Sequence, residues 1–370
     1  MKRALIINEW PSYLINESGC NVFSYKLINF LNEHKFCVDE IILKTPLNNI
    51  NWKTIYPNNN YNPIFLNLNL KDKFINKINF IEDQIEKIIN NNKYDIIISN
   101  FHLGFNRINK YKNFFFVPHN SYEIITKYGI GTKKRKLLIP FYWIIRKLIN
   151  HKNPFLASNI IVFDPYTKNK IIKTKKYNNS KVFLVPIFHN FFNEEKEVIY
   201  ENKRENVFYI GRLANKQKNL KLLNKVADYI DIHVYGGGGD EKILSSPNIK
   251  KFGIVKDNKK ENIFKTKKVM IMTSRYEGSP IVLIEALSFG IPIVLLDTFP
   301  FAKYVTNETG SVLLNKKSGA KKFGSVIKQI LELEEKEYRK LQIQCFDVYL
   351  KKFSNKVAEQ EWKKIISSIN

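Results

Sequence analysis

The segment from residue 269 to residue 292 constrains the fold more than any other part of the chain. Its first residues, Val269 to Met272, form a short apolar run of the kind that a buried parallel strand shows. Gly278 then allows a sharp turn, and Pro280 suits the first position of a helix. The Gly-x-Pro sequence that begins at Gly290 predicts the end of that helix. A strand, a loop and a helix in this order are the unit of a doubly wound α/β sheet.

The start of this predicted helix is suited to bind a polar ligand. The N–H groups of Ser279, Ile281 and Val282 have no acceptor within the helix and lie at the positive end of its dipole. They can donate to hydroxyl or phosphate oxygens. Glu277 and Glu285, eight positions apart, could hold two hydroxyl groups of one extended ligand. Two isolated acids at this spacing would more often be a solvated loop acid and an ordinary helical acid, so the spacing alone does not decide.

The longer sequence frame around these acids is far more specific than the acids themselves. From Glu277 to Pro292 the chain reads E-G-x-P-x-x-x-x-E-A-x-x-x-G-x-P. This frame resembles the donor-site signature of retaining GT-B glycosyltransferases, glycosyltransferase family 4, also described as glycosyl transferases group 1. The resemblance implies two Rossmann-like doubly wound domains facing a cleft, with a nucleotide-sugar donor bound there. Most of the matching positions lie between residues 207 and 314, and the first domain matches at few positions.

The resemblance also implies roles for the residues around this helix. Glu285 is expected to hold the ribose hydroxyls, and Glu277 is expected to hold the sugar hydroxyls together with the amides that follow it. The implied donor-binding residues of this segment are Gly278, Ser279, Pro280, Ile281, Val282 and Glu285.

A cluster of cations follows the first strand of the predicted second domain. That strand ends at Gly211, and Arg212, Lys216 and Lys218 come next. A guanidinium fork and an ammonium group can bind a diphosphate, although solvated cations are common in so lysine-rich a chain. The resembled family carries G-R-(x)n-K-N here, and the match with one extra residue favours Lys218 over Lys216. The resemblance implies that Arg212 and Lys218 stabilise the departing diphosphate.

Three further positions of the second domain are implied as donor contacts. Gly237 lies in a run of four glycines that follows an apolar strand, where the main chain can approach a ligand closely. Val255 ends a segment that resembles the family segment whose backbone reads the nucleotide base. Thr309 lies in a turn that resembles a family turn near the donor.

The first domain carries two candidate site residues. Gly19 precedes the first predicted helix, where the resembled family usually has two adjacent glycines near the donor phosphate and the acceptor. His119 follows a predicted strand, at the place where family members often have a histidine that hydrogen-bonds the donor sugar. The alternative for His119 is a buried or surface histidine without a role.

The order of predicted elements favours parallel sheets in both domains. The Asn-rich stretch 48–69 is predicted to be loop-dominated, and the polar stretch 192–206 to be an interdomain linker. Two domains are predicted, at residues 1–191 and 205–352. The resemblance implies that a C-terminal helix at 353–370 packs on the first domain. In the first domain, strands are predicted at 4–8, 38–43, 94–99, 114–119, 159–163 and 182–186, and helices at 22–31 and 75–89.

The net charge of +26 is the abnormal property of the composition. Such a charge suits nucleic acid, an anionic membrane or an anionic substrate, and a lysine-rich composition explains part of it. Lys133 to Lys136 form a basic cluster beside aromatic and aliphatic residues, so segment 127–155 is expected to contact an anionic membrane. The alternative is a helix packed by its apolar side. No nucleic-acid-binding module is recognisable, so nucleic acid is not an expected partner.

Other features limit the location and the cofactors. No apolar run approaches the ~20 residues of a membrane helix. Three widely spaced cysteines fit reduced thiols, so a cytoplasmic protein at the inner face of the plasma membrane is expected. No residue cluster has metal-ligand spacing, and neither a metal ion nor a cofactor besides the nucleotide sugar is expected.

The resemblance implies a retaining hexosyltransferase, and the other features are compatible with it. The expected reaction moves a hexose-type sugar from a UDP sugar to a glycan or lipid-linked glycan in bacterial surface polysaccharide synthesis, such as lipopolysaccharide, O-antigen or capsule. Three alternatives stay open: a non-catalytic accessory subunit with the same fold, a basic nucleic-acid-binding protein, and a glycogen-synthase-like polymerase.

Overall fold

The structure is a computed structural model that divides into two compact units. The first unit comprises Met1–Asn190 together with Glu359–Asn370, and the second comprises Phe191–Ala358. The structure describes residues 1–9, 11–12, 19–43, 55–56, 60–66, 74–100, 107–119, 157–173, 180–189, 205–255 and 257–369. The predicted basic segment 127–155 lies outside these residues.

The first unit is built on a parallel sheet of seven described strands. Their spatial order is β3-β2-β1-β4-β5-β6-β7, and every neighbouring pair is parallel. The strands are β1 (Lys2–Asn8), β2 (Phe36–Ile42), β3 (Tyr61–Phe65), β4 (Ile96–Ser99), β5 (Phe114–Phe116), β6 (Asn159–Val162) and β7 (Lys181–Leu184). The order reverses between β1 and β4, and at such a point the carboxyl ends of the strands offer a crevice for a ligand.

Helices cover this sheet, which explains its apolar strands. The described helices of the first unit are α1 (Gly19–Glu33), α2 (Phe74–Asn91) and α3 (Pro165–Lys173). The inner side of α1 buries Phe23, Leu27 and Leu31 at helical spacing. Strands covered on both faces read as continuous apolar runs, and β4 with the sequence IIIS is an example. The predicted strands and helices of this unit are all present, with ends that differ by a few residues.

One prediction in the first unit is wrong in part. The stretch 48–69 was expected to be loop-dominated, but residues Tyr61–Phe65 form β3. This strand lies at the edge of the sheet and pairs with β2 alone. An edge strand is half-exposed and tolerates a proline such as Pro63, so it lacks the apolar run by which the other strands are recognised.

The second unit repeats the architecture with six described parallel strands. Their order is β10-β9-β8-β11-β12-β13, with the reversal between β8 and β11. The strands are β8 (Glu205–Ile210), β9 (Ile232–Tyr235), β10 (Ile249–Lys251), β11 (Lys267–Met272), β12 (Ile293–Leu296) and β13 (Val312–Leu314). The helices are α4 (Asn215–Lys218), α5 (Leu220–Val226), α6 (Asp257–Thr266), α7 (Ile281–Ser288), α8 (Pro300–Thr306), α9 (Ala320–Leu331) and α10 (Glu335–Lys352).

The C-terminal helix α11 (Asn355–Ser368) contributes to the core of the first unit. Trp362 has no exposed surface, and its ring lies 6.4 Å from the ring of Phe23 in α1. The predicted helix began at residue 353, two residues earlier than α11. Both sheets are parallel and carry helices, so the prediction of two Rossmann-like α/β domains is confirmed.

Candidate functional site

The candidate site of the second unit lies where β8 and β11 end. These two strands are neighbours and parallel, so the loops that follow them leave the same edge of the sheet. The loops are joined directly: the hydroxyl of Thr273 donates to the Lys218 carbonyl at 2.8 Å, and the Arg275 N–H donates to the Gln217 carbonyl at 2.8 Å. This hydrogen bonding holds the loop that carries Lys218 beside the loop that carries Glu277.

A buried ion pair is the centre of this site. The Lys218 Nζ lies 2.5 Å from Glu277 Oε1, and the two residues are only 9% and 6% exposed. Removing two charges from water is costly, and a single partner left alone would be strongly destabilising. The pair is therefore poor as a stabilising device, and its position at the strand ends is typical of a functional group.

Gln217 extends the pair to the guanidinium of Arg212. Its Nε2 donates to Glu277 Oε2 at 2.9 Å, and its Oε1 accepts from Arg212 Nη2 at 3.0 Å. Arg212 is exposed, whereas its partners are partly or fully buried. The result is a cationic group at the surface, connected through an amide to a neutralised buried pair. Gln217 was not predicted, because the sequence frame marks only the arginine and the lysine.

The two lysines of this loop differ in burial, and a donor contact of either one stays a prediction. Lys218 is buried against Glu277, while Lys216 is exposed on the short helix α4. Gly211 has a φ of +150°, and a Cβ there would come within 4.0 Å of the Lys218 Nζ.

Burial and the Glu277 charge raise the pKa of Tyr209, whose hydroxyl donates to the Arg212 carbonyl at 3.1 Å.

The start of α7 is one residue later than predicted. Pro280 has an extended conformation and precedes the helix, whose first residue is Ile281. The Leu283 N–H donates to the Pro280 carbonyl at 3.1 Å, so the N–H groups of Ile281 and Val282 come before the first intrahelical bond. The residues from Gly278 to Val282 are half-buried. They stay accessible to a ligand beside the buried Glu277.

Glu285 has a cationic partner that the sequence did not reveal. It is 3% exposed on α7, and its two carboxylate oxygens lie 2.5 and 2.6 Å from the Lys260 Nζ of α6. Lys260 was missed because it is one lysine of several in a polar segment and belongs to no motif. Both acids of the sequence frame are thus buried and each is paired with a lysine.

The glycine run after β9 packs against the loop that carries Arg212. A Cβ on Gly236 would lie 1.9 Å from the Gly211 carbonyl oxygen, so no side chain fits. The Leu213 N–H donates to the Gly237 carbonyl at 2.9 Å. The glycines of this run therefore let the main chain pack against the loop after β8. A ligand contact at Gly237 stays a prediction.

The other two predicted positions of this unit have different surroundings. Val255 is half-buried beyond β10, next to Ile254, which is 83% exposed. Thr309 is fully buried, and its hydroxyl donates to the Thr306 carbonyl at 3.1 Å and accepts from the Ser311 N–H at 3.2 Å. The turn itself uses the Thr309 hydroxyl, so a donor contact there also stays a prediction.

Gly19 and His119 belong to the first unit. Gly19 is the exposed first residue of α1, and His119 follows β5. The His119 Nε2 lies 3.2 Å from Asn100 Oδ1, and the ring contacts Phe23 and Phe163 with centroids 5.1 and 5.5 Å away. These surroundings desolvate the imidazole and lower the pKa of His119 to about 4. The ring is therefore neutral at physiological pH.

Two properties of the described residues concern metals and membranes. Within the described ranges, no group of three His, Cys, Asp or Glu side chains is placed to hold a metal ion. None of the helices in the described part of the chain combines the length and the apolar character needed to span a bilayer.

The two parallel-sheet units define the class of the protein, which is that of the GT-B fold. Residues 191–344 match the family described as glycosyl transferases group 1, so the second unit carries a domain of this type. The match includes the Arg212, Lys218, Glu277 and Glu285 site.

Comparison with individual proteins gives the same class. The amylovoran biosynthesis glycosyltransferase AmsD of Erwinia amylovora is 30% identical over 159 residues, which are 38% of this chain and 44% of that protein. The matched segment thus spans less than half of this relative. Sucrose-phosphate synthase from Thermosynechococcus elongatus superposes with a TM-score of 0.76 at 15% identity, over 100% of this chain and 99% of that one.

A further solved structure resembles the complete chain. The pneumococcal O-GlcNAc transferase GtfA, in complex with UDP and GlcNAc, superposes with a TM-score of 0.68 at 10% identity, over 100% of this chain and 99% of that one. At this level of identity the similarity concerns the fold.

The depressed pKa of His119 predicts a pH-dependent stability. The unfolded histidine binds a proton below about pH 6.5, whereas the folded one does so only below about pH 4. The free energy of unfolding should therefore fall, by up to about 3 kcal/mol, as the pH drops through this window. The measurement is urea unfolding of the wild type and of His119→Gln at several pH values. A wild-type-minus-variant difference that does not change between pH 7 and pH 4 would contradict the assignment.

Proposed function

We propose that this protein is a glycosyltransferase that moves a hexose-type sugar from a UDP sugar to a glycan or lipid-linked glycan, with retention at the anomeric carbon. The observation that carries the proposal is the buried Lys218–Glu277 pair, linked through Gln217 to Arg212, at the carboxyl ends of β8 and β11. The glycosyl transferases group 1 match covers this site. The names of AmsD and GtfA support a polysaccharide context and a UDP-linked donor.

The cations act on the diphosphate of the donor. As the bond between the anomeric carbon and the diphosphate breaks, negative charge grows on the leaving oxygen, and preorganised cations stabilise it. Arg212 offers a planar fork, and Lys218 offers a point charge whose direction is held by Glu277. Arg212 supplies net positive charge and Lys218 supplies a directed N–H donor, and the proposed mechanism includes no metal ion.

Glu277 has a second use in this mechanism. Each of its oxygens already accepts one hydrogen bond, from Lys218 or from Gln217, and each retains one more lone pair. Those lone pairs accept from sugar hydroxyls, and the N–H groups of Ile281 and Val282 donate to sugar or phosphate oxygens. Together they orient the anomeric carbon, which is how binding energy lowers the barrier.

The transfer step then exchanges one bond to oxygen for another. The acceptor hydroxyl attacks the anomeric carbon on the face from which the diphosphate leaves, and its proton passes to the departing oxygen. The new glycosidic bond keeps the original configuration. The products are the extended glycan and UDP.

Glu285 and Lys260 give the first test of this function. Glu285→Gln keeps the size of the side chain but removes the anionic acceptor for the ribose hydroxyls. Hydrogen bonds to charged groups are worth about 1.5–3 kcal/mol, so kcat/KM for the UDP sugar should fall about 10- to 100-fold. The assay is transfer or hydrolysis with a panel of UDP, GDP and ADP sugars, after ligand-induced thermal protection has identified the donor.

A matched control is available on the helix that carries Lys260. Glu261→Gln removes an acid that pairs with Lys265 at 2.8 Å and should leave kcat/KM within twofold of the wild type. Full activity of Glu285→Gln would remove the donor assignment. No turnover of any donor by the wild type would favour the accessory-subunit alternative.

Contact with an anionic membrane is a separate part of the proposal. It concerns segment 127–155, which contains the basic cluster Lys133 to Lys136. Near an anionic surface each such charge adds about 1 kcal/mol of binding free energy. Together with the absence of a recognisable nucleic-acid module, this cluster supports a peripheral protein at the inner face of the plasma membrane.

Vesicle sedimentation tests this contact. Replacing the four basic residues of the cluster by glutamine should weaken binding to phosphatidylglycerol-containing vesicles about a hundredfold or more at low salt. The control variant replaces four exposed lysines of the second unit by glutamine, namely Lys316, Lys317, Lys321 and Lys322. Equal losses in both variants would show a response to net charge alone and would refute a specific contact through this segment.

A further inference from the structure

A chain of hydrogen bonds runs from Glu40 to His119 in the first unit, buried at Glu40 and Asn8 and half-buried at Asn100 and His119. Glu40 is fully buried in β2. Asn8, at the end of β1, donates from Nδ2 to Glu40 Oε1 at 2.5 Å. Asn100, directly after β4, donates from Nδ2 to Asn8 Oδ1 at 2.9 Å, and Asn100 Oδ1 lies 3.2 Å from the His119 Nε2. The chain thus crosses the carboxyl ends of four strands, where ligands bind in such sheets.

The direction of every hydrogen bond in this chain follows from Glu40. The Ser12 backbone N–H donates to Glu40 Oε1 at 2.9 Å, so this oxygen is an acceptor. The other oxygen, Oε2, faces the hydroxyls of Ser12 and Tyr61. Burial raises the pKa of Glu40, and a proton on the carboxyl group would be placed on Oε2. The Asn8 amide therefore donates to Oε1 whether or not Glu40 is ionised.

This polarity is passed on through the two asparagines. Because the Asn8 Nδ2 faces Glu40, its Oδ1 faces the other way and accepts from Asn100 Nδ2 and from the Ser24 hydroxyl, the latter at 3.1 Å. The Asn100 Nδ2 also lies 2.9 Å from the Ser24 Oγ. The Asn100 Oδ1 is left to face His119, and a carbonyl oxygen can only accept. The His119 Nε2 must therefore carry a proton.

A neutral imidazole has one protonated nitrogen, so the other nitrogen accepts. Desolvation keeps His119 neutral, and its described contacts, Asn100, Phe23 and Phe163, supply no charge. With Nε2 protonated, Nδ1 is an acceptor. A ring in this state can take a hydrogen bond from a hydroxyl but cannot donate one to a phosphate through Nδ1.

We infer that Asn100 and Asn8 are positioning residues that hold His119 in its Nε2–H form, so that Nδ1 accepts a hydrogen bond from a sugar hydroxyl. The proton on Nε2 follows from the hydrogen bonds and the neutral ring from its apolar surroundings, whereas the identity of the ligand rests on the proposed function. Glu40 orients the chain and takes no part in the chemistry.

The tautomer is measured by nitrogen-15 NMR of the histidine rings in the full chain at neutral pH. His119 is assigned as the ring whose signals disappear in His119→Gln. The expected spectrum has a protonated Nε2 and an unprotonated Nδ1. A protonated Nδ1, or a doubly protonated ring, would overturn the inference whatever the activity of the protein.

The positioning role is measured by binding of UDP and of a UDP sugar. The probe is the better bound of UDP-glucose and UDP-N-acetylglucosamine. Asn100→Ala removes the acceptor for Nε2, so the ring should populate both tautomers and the affinity for the UDP sugar should fall about fivefold. The affinity for UDP should stay within twofold, because the inferred contact of His119 is with the sugar and not with the nucleotide. Equal losses for both ligands would show general disruption and would overturn the positioning role.

A matched variant controls for the loss of a half-buried amide. Asn113 lies in the same unit, and its Nδ2 donates to the Tyr94 carbonyl at 2.6 Å. Asn113→Ala should change neither the spectrum of His119 nor either affinity. Failure of the wild type to bind any UDP sugar would contradict the proposed function and the sugar contact, while an Nε2–H ring in that protein would still support the action of Asn100 and Asn8.

Discussion

The cost of burying charge is the constraint on which the account of this protein depends. Glu277 and Glu285 are 6% and 3% exposed, and burying a carboxylate without a cation beside it costs much free energy. Each is met by a lysine from a different element, Lys218 after β8 and Lys260 on α6. A well-packed apolar pair would cost less, so stability alone does not account for these two ion pairs, and the proposed function gives them a role in donor binding.

The parallel sheets make this arrangement possible. Loops that leave the same edge of a sheet can be joined by main-chain hydrogen bonds, as between Arg275 and Gln217. Gly236 likewise lets the loop after β9 approach the loop after β8, because a Cβ there would lie 1.9 Å from the Gly211 carbonyl oxygen. The first unit uses the same edge of its own sheet for a hydrogen-bonded network, in which Glu40 directs two asparagines and a histidine. Polar groups thus gather at the carboxyl ends of the strands in both sheets.

The sequence predicted the fold class and the acids of the candidate site, because a long frame around Glu277 and Glu285 fixes a strand, a loop and a helix at once. It did not predict the partners Gln217 and Lys260. In a chain with 60 lysines and arginines, no pattern distinguishes a paired lysine from a solvated one. Edge strand β3 was missed because its half-exposed residues give no apolar run. The network from Glu40 to Asn100 joins residues far apart in sequence, so only the structure brings them together.

The most direct measurement is the affinity for UDP, determined by calorimetry, of two variants. One carries Lys218→Met together with Glu277→Gln, so that no buried acid is left without its partner. The other carries Lys216→Met alone. If the buried lysine meets the diphosphate, the Lys218 variant should bind UDP about 10- to 100-fold more weakly than Glu277→Gln alone. The Lys216 variant should stay within about twofold of the wild type. Equal and small effects of both substitutions would contradict the account.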